Sequence, residues 1–264
     1  MAKKVAPIKT IYYSDELNED FAATSGIKRR KIDENFDYFR ENNILVKIIS
    51  DFLYYIIAKP IVYLILKIVY HVKFINKKVM KERGKKGCFI YSNHTNYLPD
   101  ASLNSLIHPG RNYIIVGSQV VNIKGITNLV QDLGGIPLGD TIEAKIHFLK
   151  CINKKLKQNA SITIYPEAHI WPYYTKIRNF SVDSFRYPLK ENTPVFASTT
   201  CYTKKKHSIR PKIIQVIDGP FFVDTSLSKE EAMLKLRNQV YKAMVEATNK
   251  YSDYEYFKYI KKEK

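Results

Sequence analysis

Residues 52–70, FLYYIIAKPIVYLILKIVY, form nineteen nearly continuous apolar residues. That is long enough to span a bilayer, so any fold of this chain must either bury the run or give it to lipid. Two residues oppose a simple span. Lys59 would sit near the middle, where a charge costs about 2.5–3.5 kcal/mol even on the lenient insertion scale. Pro60 lacks a backbone donor and breaks or kinks a helix. The expectation is an N-terminal apolar helical hairpin, interfacial or re-entrant, with Lys59, Lys67, Lys73, Lys77 and Lys78 reaching anionic head groups. The competing reading is a helix pair docked into the chain's own core.

The charge balance points the same way without deciding the matter. Lys+Arg number 43 against 25 Asp+Glu, a net +18, which attracts nucleic acid or an anionic membrane surface. The 20 Tyr and 13 Phe suit a water–lipid interface and would also stack on unpaired bases. A general Lys-, Ile-, Asn- and Tyr-rich bias is the plain alternative. The sequence holds no RNA-recognition, zinc-finger or Gly-rich nucleotide motif, so no nucleic-acid partner is expected. Three widely spaced cysteines, Cys88, Cys151 and Cys201, fit neither a disulfide framework nor a metal site. No metal is expected. The opening MAKKVAPIKT has no apolar run behind its lysines and does not read as a signal peptide. The expected location is the cytoplasmic side of the cell membrane.

Residues 1–43 read as a polar arm with a basic cluster at Lys28-Arg29-Arg30-Lys31 and a short helix near 32–39. Residues 44–80 read as a membrane-associated helical segment. From residue 81 to 250 short apolar runs alternate with helical patterns. Strands are expected at 88–91, 113–116, 162–165, 195–202 and 212–217. Helices are expected at 101–107 and at 141–158, where Ile142, Ile146, Leu149, Ile152 and Leu156 recur at helical spacing. Ser228 and Glu231 make a capping-box signature opening a last helix with Met233, Leu236, Val240 and Met244 on one stripe. The tail, 251–264, is basic and aromatic. Such alternation gives an α/β fold with a mostly parallel central sheet flanked by helices.

The chemistry-bearing segment is Ser92-Asn93-His94-Thr95-Asn96-Tyr97-Leu98-Pro99-Asp100, between a strand and a helix. His is the natural base near neutral pH, and a carboxylate can fix its tautomer and stabilise its imidazolium. On one straight helix His94 and Asp100 would lie about 120° apart, so a turn must bring them together. Three further segments follow in order: Leu133-Gly134-Gly135-Ile136-Pro137-Leu138, Ile164-Tyr165-Pro166-Glu167-Ala168-His169, and Asn192-Thr193-Pro194-Val195.

Taken together these resemble the four blocks of the glycerolipid acyltransferase family, the type that includes 1-acylglycerol-3-phosphate acyltransferase, over residues 86–220. The resemblance implies His94 as general base on the acceptor hydroxyl and Asp100 as its orienting partner. It implies Asn93, Gly134, Gly135, Pro166 and Glu167 as substrate-site residues, with Pro194 in the fourth block. Acyl-CoA or acyl carrier protein is the implied co-substrate, and no cofactor is needed. The departures are a His-x5-Asp spacing in place of x4, and the loss of two block arginines. The second block ends Leu138-Gly139-Asp140, and Ile170 stands where the third-block arginine is expected. Lys176 and Arg178 are then the candidate phosphate clamp. His169 and Trp171 suggest a sugar or glycolipid acceptor as the alternative. A nucleic-acid module, a hydrolase using the same His–Asp pair, and a catalytically inactive lipid-binding scaffold are the rivals. No Gly-x-Ser-x-Gly nucleophile elbow supports a serine esterase.

Overall fold

The strand Cys88–Ser92 (β3) is buried at every residue, as is Ser161–Ile164 (β6), and Val195–Thr203 (β7) is buried at all but its last. Strands of a parallel sheet covered on both faces carry no in–out alternation. The computed structural model, which describes residues 7–21, 27–39, 43–206 and 208–263, builds such a sheet. The remaining strands are Lys9–Tyr13 (β1), Lys73–Ile75 (β2), Asn112–Val116 (β4), Gly135–Pro137 (β5), Lys212–Phe221 (β8) and Phe257–Lys261 (β9). The main sheet has the order β2-β8-β7-β3-β6-β4-β5. Every neighbouring pair is parallel except β7/β8. The α/β class with a mostly parallel sheet is therefore the observed one.

The helices are Ile44–Phe52 (α1), Lys59–Ile68 (α2), Tyr97–Ile107 (α3), Thr127–Asp132 (α4), Ile142–Lys157 (α5), Arg186–Glu191 (α6) and Lys229–Tyr251 (α7). The largest core cluster joins Phe148, Ile152 and Leu156 of α5 to Leu236, Val240 and Met244 of α7 against one face of the sheet. Leu66 of α2 and Leu103 of α3 pack with Tyr202 and Ile213. The capping box at Ser228 and Glu231 is formed. The stripe of α5 differs from the expected one. Ala144, Phe148 and Ile152 are buried, while Ile142 and Ile146 are 71% and 49% exposed. Lys155 is buried as well, its ammonium 4.3 Å from the ring centroid of Phe39, a cation–π contact that lets the helix bury a lysine.

The apolar segment is one helix, Ile44–Ile68, long and apolar enough to cross a membrane, and not the expected hairpin of two. A π-helical turn, Leu53–Ala58, links α1 to α2. There Lys59 N–H reaches back five residues to Tyr54 O, which widens the turn just ahead of the Pro60 ring and removes the clash that would break an α-helix. Lys59 turns inward, its Nζ donating to His108 O at 3.1 Å and Pro109 O at 3.4 Å. It does not reach outward to head groups as expected. Further anchors are Arg111 to Asp51 at 2.7 Å and Asn112 N–H to the Tyr54 hydroxyl at 3.0 Å. The rest of the helix surface stays open, with Ile44, Leu45, Ile49, Ile56 and Ile68 each more than 60% exposed.

The described residues of the arm pack more closely on the domain than their polarity suggests, and the helix expected near 32–39 is absent. Asp33 accepts Asn35 N–H, and Asp37 accepts Phe39 N–H. Such local side-chain bonds compete with helix. Ile32 and Tyr38 are buried in the main core. Farther toward the N-terminus β1 pairs with β9 in a small parallel sheet of its own, so arm and tail close on each other.

His108, which caps α3, is 1% exposed. Burial, with the Arg83 charge nearby, pushes its pKa down to about 4. The unfolded chain takes up the proton near pH 6.5 and the folded one resists it, so stability is lost as pH falls from about 6.5 toward 4. Between pH 7 and 5 this group is expected to cost roughly 2 kcal/mol. Urea unfolding of His108→Leu at both pH values should show a correspondingly smaller loss. An equal loss in both proteins would refute the assignment.

Candidate active site

The chain leaves β3 at Ser92, runs extended through Asn96, and enters α3 at Tyr97. Helix α3 starts four residues earlier than expected because Pro99 falls in its first turn, where no backbone donor is needed. That first turn swings Asp100 back over the loop. His94 Nδ1 lies 2.8 Å from Asp100 Oδ2. The same oxygen accepts Thr95 N–H at 2.7 Å and Asn96 N–H at 2.8 Å. Three donors thus converge on one carboxylate oxygen near the positive end of a helix. Burial still pushes the Asp100 pKa up, against the lowering effect of His94 and the two backbone bonds. Asp100 is 2% exposed and His94 25% exposed. With Nδ1–H on the carboxylate, Nε2 is left as the unprotonated nitrogen, on a ring that solvent reaches.

Below the loop, Asn93 is fully buried. Its amide donates to Thr200 O at 3.0 Å and accepts Thr200 N–H at 2.8 Å. It pegs the loop to β7 and is not placed to touch a substrate. Beside the peg runs a buried polar chain: Asn104 to Ser92 at 3.0 Å, Ser198 to Asn104 at 2.7 Å, and Gln215 to Ser198 at 2.7 Å. Thr95 is held by Tyr202, whose hydroxyl donates to Thr95 O at 3.1 Å and lies 2.8 Å from Thr95 Oγ1.

The loop after β6 is stitched to this one by backbone bonds, Trp171 N–H to His94 O at 3.0 Å and Tyr173 N–H to Thr95 O at 2.8 Å. Glu167 is buried, with Oε2 3.5 Å from His94 N and 3.1 Å from Arg178 Nη2. Burial pushes the Glu167 pKa up in spite of that arginine. Arg178 is 1% exposed. It binds Glu167, the carbonyls of Glu16 and His169, and the face of Trp171 at 4.9 Å. It therefore has no face for an acceptor phosphate, and of the expected clamp only Lys176 is exposed. Trp171 is fully buried, stacked on Tyr259 at 4.9 Å, so neither of its faces is open to a sugar ring. His169 lies at the rim, 3.9 Å from Asp20. Pro166 is half-buried. Gly134, at φ +100°, and Gly135 are buried where β5 meets β4. A Cβ on Gly134 would lie 2.5 Å from Asn112 O and one on Gly135 2.6 Å from Val130 Cγ1, so Gly134 lets β5 approach β4 and Gly135 lets α4 pack on β5.

One contact had no signal in the residue pattern. The Tyr165 ring stacks on His94 with centroids 4.4 Å apart and planes 26° apart, and its hydroxyl donates to Asp100 O. It holds the imidazole plane and ties it to the backbone of its carboxylate partner. Tyr165→Phe keeps the stack and is expected to cost less than about tenfold in kcat. Tyr165→Leu removes both contacts and is expected to cost about 10²-fold, as small misplacements do. Steady-state kinetics that rank the two variants the other way would exclude this role.

Residues 71–199 match the family model described as Acyltransferase. No curated protein sequence matches the chain. Among solved structures the fold is similar to the 1-acyl-sn-glycerophosphate (LPA) acyltransferase PlsC from Thermotoga maritima. The TM-score is 0.54 at 16% identity, over 78% of this chain and 86% of that one. At that identity the likeness is one of fold. The matched segment contains the His94 loop, Tyr165 and Glu167.

Proposed function

We propose that the chain moves a fatty acyl group from acyl-CoA or acyl carrier protein to a hydroxyl of a lysophospholipid such as 1-acylglycerol-3-phosphate, at the cytoplasmic side of the cell membrane. The observation that carries this reading is the His94–Asp100 pair, 2.8 Å apart, with the carboxylate buried and the imidazole accessible. In the proposed reaction the acceptor hydroxyl gives its proton to His94 Nε2 as its oxygen attacks the thioester carbonyl. The imidazolium that forms is stabilised by Asp100. Collapse of the tetrahedral adduct breaks the C–S bond, and the departing thiolate takes the proton back. No nucleophilic serine or metal is needed for this sequence of steps. Membrane contact is supported by the open apolar face of Ile44–Ile68. A lysophospholipid is favoured over a sugar acceptor because Trp171 is covered on both faces. The test is thiol release from long-chain acyl-CoA and acyl carrier protein, with the protein on anionic liposomes and a panel of lysophospholipids, glycolipids and sugars. Release that depends on a lysophospholipid is expected. Release without any acceptor would indicate a hydrolase, and no release from folded, liposome-bound protein would favour the scaffold.

A further inference from the structure

The turn between β7 and β8 takes no part in the site described above. Its sequence, Thr203-Lys204-Lys205-Lys206-His207-Ser208-Ile209-Arg210-Pro211-Lys212, holds five cations and no carboxylate. Lys204, Lys206 and Arg210 are exposed, and Ile209 is 66% exposed. Two contacts fasten the turn to the C-terminal end of the apolar helix. Ile213 N–H donates to Tyr70 O at 3.3 Å, and Lys205 Nζ meets His71 Nε2. At that helix end Ile68 is 64% exposed and Lys67 is exposed too. The strand leading into the turn carries Tyr202, which holds Thr95 beside His94. Helix end, cationic turn and catalytic loop therefore share one end of the sheet.

We propose that this turn docks on the phosphate layer of an anionic bilayer, with Ile209 entering the interface, and so turns the His94 opening toward the head groups. The inference rests on the membrane reading of the apolar helix given above. An apolar helix alone fixes depth but not which end of the domain meets the interface. A cluster of lysine and arginine at one helix end adds that orientation, since each cation near an anionic surface contributes favourably within a Debye length. Ile209 in the turn and Ile68 at the helix end are both exposed apolar side chains, and this favours lipid over an acidic protein as the partner.

Flotation of the full chain on phosphatidylcholine vesicles, with and without 30% phosphatidylglycerol, tests the proposal. The variants are Lys204→Glu/Lys206→Glu/Arg210→Glu, the milder Lys204→Gln/Lys206→Gln/Arg210→Gln, and Ile209→Ser, each checked for fold by circular dichroism. The charge reversal is expected to weaken binding to anionic vesicles roughly a hundredfold while leaving binding to neutral vesicles as it was. The glutamine variant should fall between, and 0.5 M salt should narrow the differences. Undiminished binding of the reversed variant to anionic vesicles overturns the proposal and leaves the helix reading intact. A wild-type protein that floats on neither vesicle overturns both. Loss of binding to an acidic carrier protein, with vesicle binding unchanged, would reassign the turn to that partner.

Discussion

His94→Ala is expected to lower acceptor-dependent thiol release by roughly 10²–10⁴-fold, the range for removing a general base. Asp100→Asn is expected to come close to it, for a specific reason. Asp100 Oδ2 accepts Thr95 N–H and Asn96 N–H as well as His94 Nδ1–H. An asparagine that keeps its oxygen in that place keeps all three donors, and leaving buried N–H groups unpaired would cost about 1–3 kcal/mol. Its NH2 then takes the place of Oδ1, which has no hydrogen-bond partner among the described residues. The tautomer is kept, and what is lost is the negative charge that stabilises the imidazolium formed in the reaction. Both variants should float on liposomes as the wild type does and keep its circular dichroism spectrum. The ¹⁵N shifts of the His94 ring should show the same tautomer in Asp100→Asn as in the wild type. More than a tenth of wild-type turnover in His94→Ala would remove His94 from the mechanism.

The parts of this molecule that were legible in the sequence are those set by local pattern. The buried strands show as short apolar runs, α7 shows through its capping box and stripe, and the His94 loop shows through the strand–helix junction around it. The meeting of His94 with Asp100 across five intervening residues follows from Pro99 and the early start of α3, both local. What was misread depends on distant partners. Lys59 and Pro60 argue against a continuous helix only until the π-turn before them and the carbonyls of His108 and Pro109 are known. Arg178 reads as a free cation because Glu16 lies 162 residues before it and Glu167 eleven before. Trp171 reads as a sugar platform until β9 brings Tyr259 onto its face. Two of these corrections come from contacts that join the terminal segments to the domain, and the first from a helix turn and a distant loop, which no apolar-run or spacing rule contains.

The same contacts make Arg178→Met the substitution with the largest expected effect on stability. It removes the partner of a carboxylate that is 1% exposed, and it strips the donors from the carbonyls of Glu16 and His169 and a cation from the Trp171 face. Breaking one side of a buried ion pair costs about 3–5 kcal/mol, because the remaining charge is left in a poor solvent. The raised Glu167 pKa already marks burial as outweighing the pair's attraction. For a domain of this size that corresponds to a fall in Tm of roughly 10 °C. The double variant Glu167→Leu/Arg178→Met removes the stranded charge and is expected to recover more than half of the loss, although Arg178 N–H then lacks its acceptor, Glu167 Oε1. Thermal unfolding of wild type, both single variants and the double variant gives the coupling energy of the pair. Activity should fall with Arg178→Met even below its Tm. Glu167 and the 171–173 backbone brace the His94 loop from behind, and a carboxyl that protonates or turns away loosens the brace. A double variant as unstable as Arg178→Met alone would place the cost in the packing around Trp171 and not in the ion pair.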